Sequence, residues 1–279
     1  MSFRTALVQT RSGRDMVRNA ADTEALIRAA AGQGTVFIST PEMTNIIEPD
    51  RARLRAVVAD EVEDPFVRRF RELARELSVW LHLGSLALKG SGGKVANRSL
   101  LIGPDGEIAA RYDKIHLFDV DLPTGERIRE SEAIAAGDQA VVAQTPLAPI
   151  GLTICYDVRF PALYRTLAQA GALILTVPSA FTVPTGEAHW HTLMQARAIE
   201  TGSFVLAAAQ GGEHDSGRKT YGHSLAVSPW GQIIAEAGIE PGVLVFDVDP
   251  AEALAARRRI PALVHHRVFA LKAPATVAN

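Results

Sequence analysis

Pro149-Ile-Gly-Leu-Thr-Ile-Cys155-Tyr-Asp-Val-Arg-Phe-Pro161 runs five apolar or small residues into a polar break and brings the only cysteine of the chain to the junction. The run 150–154 reads as an inner strand. Tyr156-Asp157 followed by Pro161 and Ala162-Leu163-Tyr164 reads as a turn into a helix. Cys155 then sits at a strand-to-helix turn, where a side chain is exposed at the carboxyl edge of a sheet and the next backbone N–H groups lack partners, so a nucleophile there also gains an anion site. The alternative is a small buried core residue, the commonest setting of a free cysteine.

The same alternation extends outward from this stretch. Residues 3–9 form a short apolar strand, and a helix follows with Met16, Ala20, Ala25, Leu26 and Ala29 on its apolar face. Residues 34–40 read as a second strand halted by Pro41, so Glu42 arrives just past a strand's carboxyl end, the usual site position in an open α/β sheet. Residues 51–77 hold charged helices broken around Pro65, and 79–87 and 95–102 read as strands. Pro104-Asp-Gly106 is a hairpin turn into the strand 107–112, which Lys114 follows. Residues 119–137 read as a loop and 140–144 as a strand. Beyond Cys155, 162–170 is a helix, 171–177 an apolar strand ended by Pro178, 189–201 a helix stopped by Gly202, and 203–209 a buried strand. The last third reads as a meander of hairpins over 224–227, 232–236 and 242–248, with a basic helix near 251–259. The class is α/β, a mixed sheet system covered by helices.

The chain has 279 residues, 47% of them hydrophobic and 22% charged, enough for a large core. No linker-like stretch divides it, so residues 1–279 read as one domain. Its net charge of -2, with mixed signs, leaves no nucleic-acid footprint. One cysteine excludes an internal disulfide framework, and the first residues lack a basic segment leading into a long apolar one. No apolar run has membrane-spanning length. A cytoplasmic protein that binds neither nucleic acid nor membrane is expected. There is no CxxC, no phosphate loop and no dinucleotide fingerprint, and no cofactor or metal is expected. His189 and His191 have a spacing that metals use, but further ligands are not nearby in sequence, and packing or hydrogen bonding is the competing reading. His265-His266 and Arg257-Arg-Arg259 read as a solvated or interface segment.

Glu42, Lys114 and Cys155 all follow strand ends, and together they suffice for acyl transfer. The thiolate attacks a carbonyl carbon. A neighbouring ammonium lowers the thiol pKa and faces the developing oxyanion, and the glutamate takes the thiol proton and returns it to the leaving amine.

Four motifs carry a resemblance across nearly the whole chain: Pro41-Glu42-Met43, Tyr112-Asp113-Lys114-Ile-His-Leu-Phe-Asp119, Gly151-Leu-Thr-Ile-Cys155-Tyr-Asp-Val-Arg-Phe-Pro161, and Tyr221-Gly-His-Ser224 with Pro229-Trp-Gly231. They resemble the nitrilase superfamily of carbon–nitrogen hydrolases. The resemblance implies an α-β-β-α sandwich that forms homodimers or higher homo-oligomers. It also implies Glu42 as general base, Lys114 as stabiliser of the oxyanion and Cys155 as nucleophile. A second glutamate beside the lysine falls on Glu130, with Glu126 and Glu132 as alternatives in the same loop, and the backbone N–H of Tyr156 completes the oxyanion hole.

Pro178-Ser-Ala-Phe181, Thr185-Gly186-Glu-Ala-His189-Trp190 and Gln195-Ala-Arg197-Ala-Ile-Glu200-Thr201 resemble the branch that holds deaminated glutathione amidase and omega-amidase, and Lys219-Thr-Tyr221-Gly-His223-Ser leans to the first. The implied substrate is a small 2-oxo-acid amide. Arg159 is the natural partner for its carboxylate, unless Asp157 or Glu200 claims that arginine, and Phe181 and Thr185 match substrate contacts. Deaminated glutathione, cleaved to 2-oxoglutarate and cysteinylglycine, is the leading expectation and 2-oxoglutaramate the alternative. A nitrilase and a silent binding subunit are the more distant ones.

Overall fold

The structure, a computed structural model, describes residues 1–122, 125 and 127–272. In chain order these form β1 (Phe3–Gln9), α1 (Met16–Ala31), β2 (Phe37–Ser39), α2 (Arg51–Val57), α3 (Pro65–Leu77), β3 (Trp80–Lys89), β4 (Val95–Ile102) and β5 (Ile108–Asp113). The short β6 (Asp119–Asp121), β7 (Arg127–Arg129) and β8 (Ile134–Ala135) come next. Then follow β9 (Val141–Ala143), β10 (Ile150–Leu152), α4 (Pro161–Gln169), β11 (Ile174–Thr176), α5 (Val183–Thr201) and β12 (Phe204–Ala207). The chain closes with β13 (Gly211–Glu213), β14 (Lys219–Tyr221), β15 (Leu225–Val227), β16 (Ile233–Glu236), β17 (Gly242–Val248) and α6 (Pro250–Arg259). None of the described helices is long and apolar enough to cross a membrane.

Among the described residues two large sheets face each other. The first has the order β17-β1-β2-β3-β4-β5 with β8 beside β4, and the second the order β16-β15-β12-β11-β10-β9. Inner-face residues of the first sheet, Leu7, Phe37, Leu101 and Tyr112, share a core with Ile150, Leu175 and Leu206 of the second. That core continues through the second sheet to Tyr164 and Leu167 of α4 and Trp190 and Met194 of α5. On the outer face of the first sheet, Ala6, Ile38 and Leu81 pack under Ile27 of α1 and Phe66, Phe70 and Leu73 of α3. The layers are therefore α-β-β-α, as the resemblance implies.

Local chemistry sets the helix ends. Asp15 accepts from the N–H groups of Val17 and Arg18 to start α1, Asp64 caps α3 ahead of Pro65, and Ser78 ends it in the left-handed region. The buried stripe of α1 differs from the expected one. It runs through Asn19, Thr23, Ile27 and Ala30, because Asn19 is drawn inward to donate to the carbonyls of Gly13 and Asn45. Helix α5 begins at Val183, six residues before the expected start at 189. Its first turn tolerates Pro184, and Gly186 is needed there because a Cβ would lie 2.1 Å from the Tyr221 ring. The expected loop 119–137 contains the β6–β7 hairpin and β8, and β13 and β14 pair as a further hairpin, Gly211 against Tyr221 to Glu213 against Lys219. The terminal meander is broken. β17 leaves β16 and pairs antiparallel with β1 along all seven residues, from Phe3 against Val248 to Gln9 against Gly242. This covers an edge of the first sheet that would otherwise expose unpaired backbone.

His82 lies fully buried in β3 between the hydroxyls of Ser39 and Ser99, each 2.8 Å from one ring nitrogen. Burial pushes its pKa from 6.5 down to about 3, so the folded ring stays neutral. The unfolded chain takes up this proton below about pH 6.5 and the folded one does not, so stability is lost as pH falls from that value. Denaturation midpoints at pH 7 and pH 4.5 should show about 3 kcal/mol of this loss, absent in His82→Gln. An equal pH slope in the two proteins sinks the assignment.

Candidate active site

Three chain turns deliver the chemistry. β2 ends at Ser39, and the segment Thr40-Pro41 passes so close to β3 that a Cβ at Gly84 would lie 1.9 Å from the Thr40 carbonyl oxygen. Glu42 follows directly and points inward, 4% exposed. Lys114 is the first residue after β5; its N–H donates to the Asn97 carbonyl (3.0 Å), and Gly137 donates back to its carbonyl (2.8 Å). Cys155 follows β10 and opens a single 3₁₀ turn, Cys155–Arg159. Its φ of 48° is left-handed, a strained setting for a residue with a Cβ, and its N–H is tied to the Pro178 carbonyl at 2.9 Å.

Asp157 holds this turn in place. Its carboxylate accepts from the Ile154 N–H (2.8 Å), the Tyr112 hydroxyl (2.6 Å), and the backbone N–H and Nδ1 of His116 (3.0 and 2.7 Å). Tyr112 belongs to β5, so the nucleophile's turn in the second sheet is bonded to the strand that carries Lys114 in the first. Burial, and after it the Asp157 charge, pushes the Tyr112 phenol far up, so it keeps the proton it donates to Asp157 while its oxygen accepts from the Ile115 N–H (3.3 Å).

Lys114 Nζ spends its hydrogens on carboxylates, donating to Glu42 Oε1 at 2.8 Å and to the two Glu130 oxygens at 3.0 and 2.9 Å. Asn97 Nδ2 also donates to Glu42 (2.9 Å) and Glu130 (3.3 Å), while its own carbonyl oxygen is buried with no partner among the described residues. The other Glu42 oxygen accepts from the Ala180 N–H at 2.9 Å, and Glu130 Oε2 accepts from the Phe118 N–H at 2.6 Å. Burial opposes the charge on Lys114, but Glu130 and then Glu42 outweigh it and hold the ammonium well above its usual pKa. Burial would likewise raise Glu42; the Lys114 charge and hydrogen bond, with bonds from Cys155 and Asn97, overcome it and leave the carboxyl below its ordinary value. The Cys155 thiol goes the other way. Burial, followed by the Glu42 charge, pushes it far up despite Lys114. Lys114 does lower the thiol pKa, as expected, but burial and the Glu42 charge outweigh it: the resting group is a thiol beside the Glu42 carboxylate, which can accept its proton.

All eight residues expected at the site line one cavity of about 790 Å³: Glu42, Lys114, Glu130 and Cys155 at its charged floor, Tyr156, Arg159, Phe181 and Thr185 on its walls. The Tyr156 N–H finds no acceptor among the described residues. Arg159 stacks near the rings of Tyr156 (5.8 Å) and Phe181 (5.7 Å) and donates to His189 Nδ1 (3.2 Å). Neither Asp157 nor Glu200 claims it, since Glu200 is bound by Arg197 (2.6 Å). Thr185 shares a hydrogen bond with Thr182 (2.8 Å). Of the alternatives for the second glutamate, Glu132 faces away in an ion pair with Arg51, and Glu126 lies outside the described residues. His191 bonds Glu236 at 2.8 Å and shares no partner with His189.

The family model of the carbon-nitrogen hydrolases matches residues 4–258. The chain belongs to that family. It is 38% identical to the deaminated glutathione amidase of Yersinia enterocolitica over 96% of this chain and 94% of that protein. It is 35% identical to the omega-amidase of Homo sapiens over 93% of each. Among solved structures it superposes on Saccharomyces cerevisiae Nit3, a member of branch 10 of the nitrilase superfamily, with a TM-score of 0.84 and 29% identity, covering 93% of this chain and 94% of the other. A mutant of the amidase from Nesterenkonia sp. AN1 with the acetamide moiety of fluoroacetamide covalently added at its active-site cysteine matches with a TM-score of 0.77 and 30% identity, over 92% and 94% of the two chains. This carbon-nitrogen hydrolase is thus a nitrilase-superfamily sandwich of the Nit branch.

The sequence reading left out Asn97, Asp157 as a clamp, and Arg218. Asn97 had little signal, being one of three consecutive polar residues, Asn97-Arg98-Ser99, between the apolar ends of a strand. Arg218 had none, as one cation in a polar loop.

Proposed function

We propose that the protein is a cysteine amidase of 2-oxo-acid amides, acting on deaminated glutathione and releasing 2-oxoglutarate and cysteinylglycine. The observation that carries this is the closure of Glu42, Lys114 and Cys155 into one cavity that also presents Arg159 without a carboxylate partner among the described residues. The names of the relatives support the substrate class. The nucleophile is Cys155: as its sulfur bonds to the amide carbon, its proton passes to Glu42, and the oxygen charge is met by Lys114 Nζ and the Tyr156 N–H. Glu42 then gives that proton to the leaving amine as the C–N bond breaks, leaving a 2-oxoglutaryl thioester. Water enters, loses a proton to Glu42 and releases the acid, and the sulfur regains its hydrogen. Glu130 positions Lys114. Arg159 takes the 2-oxo-acid carboxylate as a bidentate pair, with Phe181 and Thr185 against the acyl chain. A thiol that must stay reduced suits a cytoplasmic setting.

The second reading is an omega-amidase, favoured by the 35% identity to the human enzyme. Deaminated glutathione and 2-oxoglutaramate yield the same thioester and differ only in the leaving group, cysteinylglycine against ammonia. Specificity constants measured side by side, with 2-oxoglutarate release as the readout, should favour deaminated glutathione by more than about tenfold, roughly 1.4 kcal/mol of transition-state binding. A preference for 2-oxoglutaramate reverses the order, and turnover of neither removes the proposal.

A further inference from the structure

Seven lysine and arginine side chains line the cavity, and most are already neutralised by carboxylates. Lys114 lies between Glu42 and Glu130, Arg51 pairs with Glu132, Arg127 and Arg129 share Asp121, and Lys219 pairs with Glu213 at 3.1 Å. Only Arg159 and Arg218 have no carboxylate partner among the described residues. Arg218 follows the left-handed Gly217 at the turn between β13 and β14, and its Nη2 donates to the Ala180 carbonyl at 3.0 Å. No other acceptor of its guanidinium is recorded among the described residues, so most of its N–H groups remain available to the cavity. The two arginines flank one segment: Arg159 lies against the Phe181 ring, and Arg218 is bonded to the residue before it.

We propose that Arg218 binds a second carboxylate, the one at the far end of the leaving group, and that it selects substrates with two negative ends over those with one. This rests on the reading of the substrate above and deepens it. With Arg159 committed to the 2-oxo-acid carboxylate, deaminated glutathione presents one further carboxylate, that of its glycine, whereas 2-oxoglutaramate presents none. The cavity's two unpaired cations match the first substrate charge for charge, and a planar guanidinium is suited to hold a carboxylate by paired hydrogen bonds. Since both substrates acylate Cys155 with the same group, a contact to the leaving group acts on acylation alone.

The test uses the whole protein and its Arg218→Gln variant on three substrates: deaminated glutathione, the same molecule with its glycine carboxylate amidated, and 2-oxoglutaramate. For the variant kcat/KM on deaminated glutathione should fall about 30-fold, carried by KM, the size of a hydrogen-bonded charge contact. On 2-oxoglutaramate it should fall less than threefold. Amidation should cost the natural protein a similar 30-fold and the variant little, and Arg218→Lys should recover part of the loss. Equal losses on deaminated glutathione and 2-oxoglutaramate would mean that Arg218 only steadies Ala180 and the Glu42 bond behind it, which overturns the proposal. So would a variant as sensitive to amidation as the natural protein. If the natural protein fails to turn over deaminated glutathione at all, it is the substrate reading that falls, and this assignment falls with it.

Discussion

Cys155→Ala is expected to lower amide turnover by at least about four orders of magnitude, the scale seen when a covalent nucleophile is removed. The rest of the site can still bind and polarise an amide, but no atom remains to form the thioester, and Glu42 is left with no proton to move. The fold should survive. Alanine keeps a Cβ at the same left-handed φ of 48°, so backbone strain is unchanged, and the lost sulfur faces the cavity. Steady-state assays should be paired with a denaturation curve and with mass spectrometry of the substrate-treated protein. The natural chain should gain the mass of an acyl group transiently and the variant should gain none. A variant that keeps more than about 1% of the turnover would give the nucleophile's role to another residue.

Lys114→Met should be nearly as damaging to activity, about a thousandfold, and more damaging to the fold. Lys114 is 2% exposed and stands between two carboxylates whose own side chains are 6% and 13% exposed. Without it, Glu42 and Glu130 are like charges sharing a buried space with no counter-ion. Breaking such an arrangement costs on the order of 3–5 kcal/mol. The pH dependence carries a distinct sign. The ammonium now holds Glu42 below its ordinary pKa against burial; once the cation is gone, burial and the Glu130 charge act together and raise it. A carboxyl with a raised folded pKa loses stability as pH rises above its unfolded value. The variant should therefore fall furthest behind the natural protein at pH 7 and recover part of the gap near pH 5, read from denaturation midpoints. An equal gap at both values would show that the two glutamates do not share the cavity as buried charges.

What the sequence makes legible here depends on whether a feature is local. Glu42, Lys114 and Cys155 each stand at the end of an apolar run beside a turn, so their positions at sheet edges follow from a few neighbouring residues. Their convergence came from the motif resemblance, since no spacing between residues 42, 114 and 155 implies contact. Glu130 was distinguishable from Glu132 only once the 3₁₀ turn Glu130–Glu132 directed one side chain inward and the other to Arg51. The return of β17 to β1 was not legible, because its hairpin-like pattern is local while its partner lies more than 230 residues away in sequence. The net state of the thiol was not legible for a related reason. A lysine near a cysteine suggests a lowered pKa, and only the depth of burial and the nearness of Glu42 decide that the opposite holds. Arg218 is invisible in sequence because its significance is that it lacks a partner, which is a property of everything around it.

The two sheets contribute different parts of the site. Glu42 and Lys114 hang from the ends of β2 and β5 in one, Cys155 from the end of β10 in the other, and the Tyr112–Asp157 bond spans the gap. Neither sheet alone holds a nucleophile together with its base. A nascent or damaged chain in which one sheet has formed and the other has not is chemically inert, and its thiol lacks the carboxylate that would accept its proton. Turnover therefore requires both halves to have closed, and its recovery during refolding times the docking of one sheet upon the other.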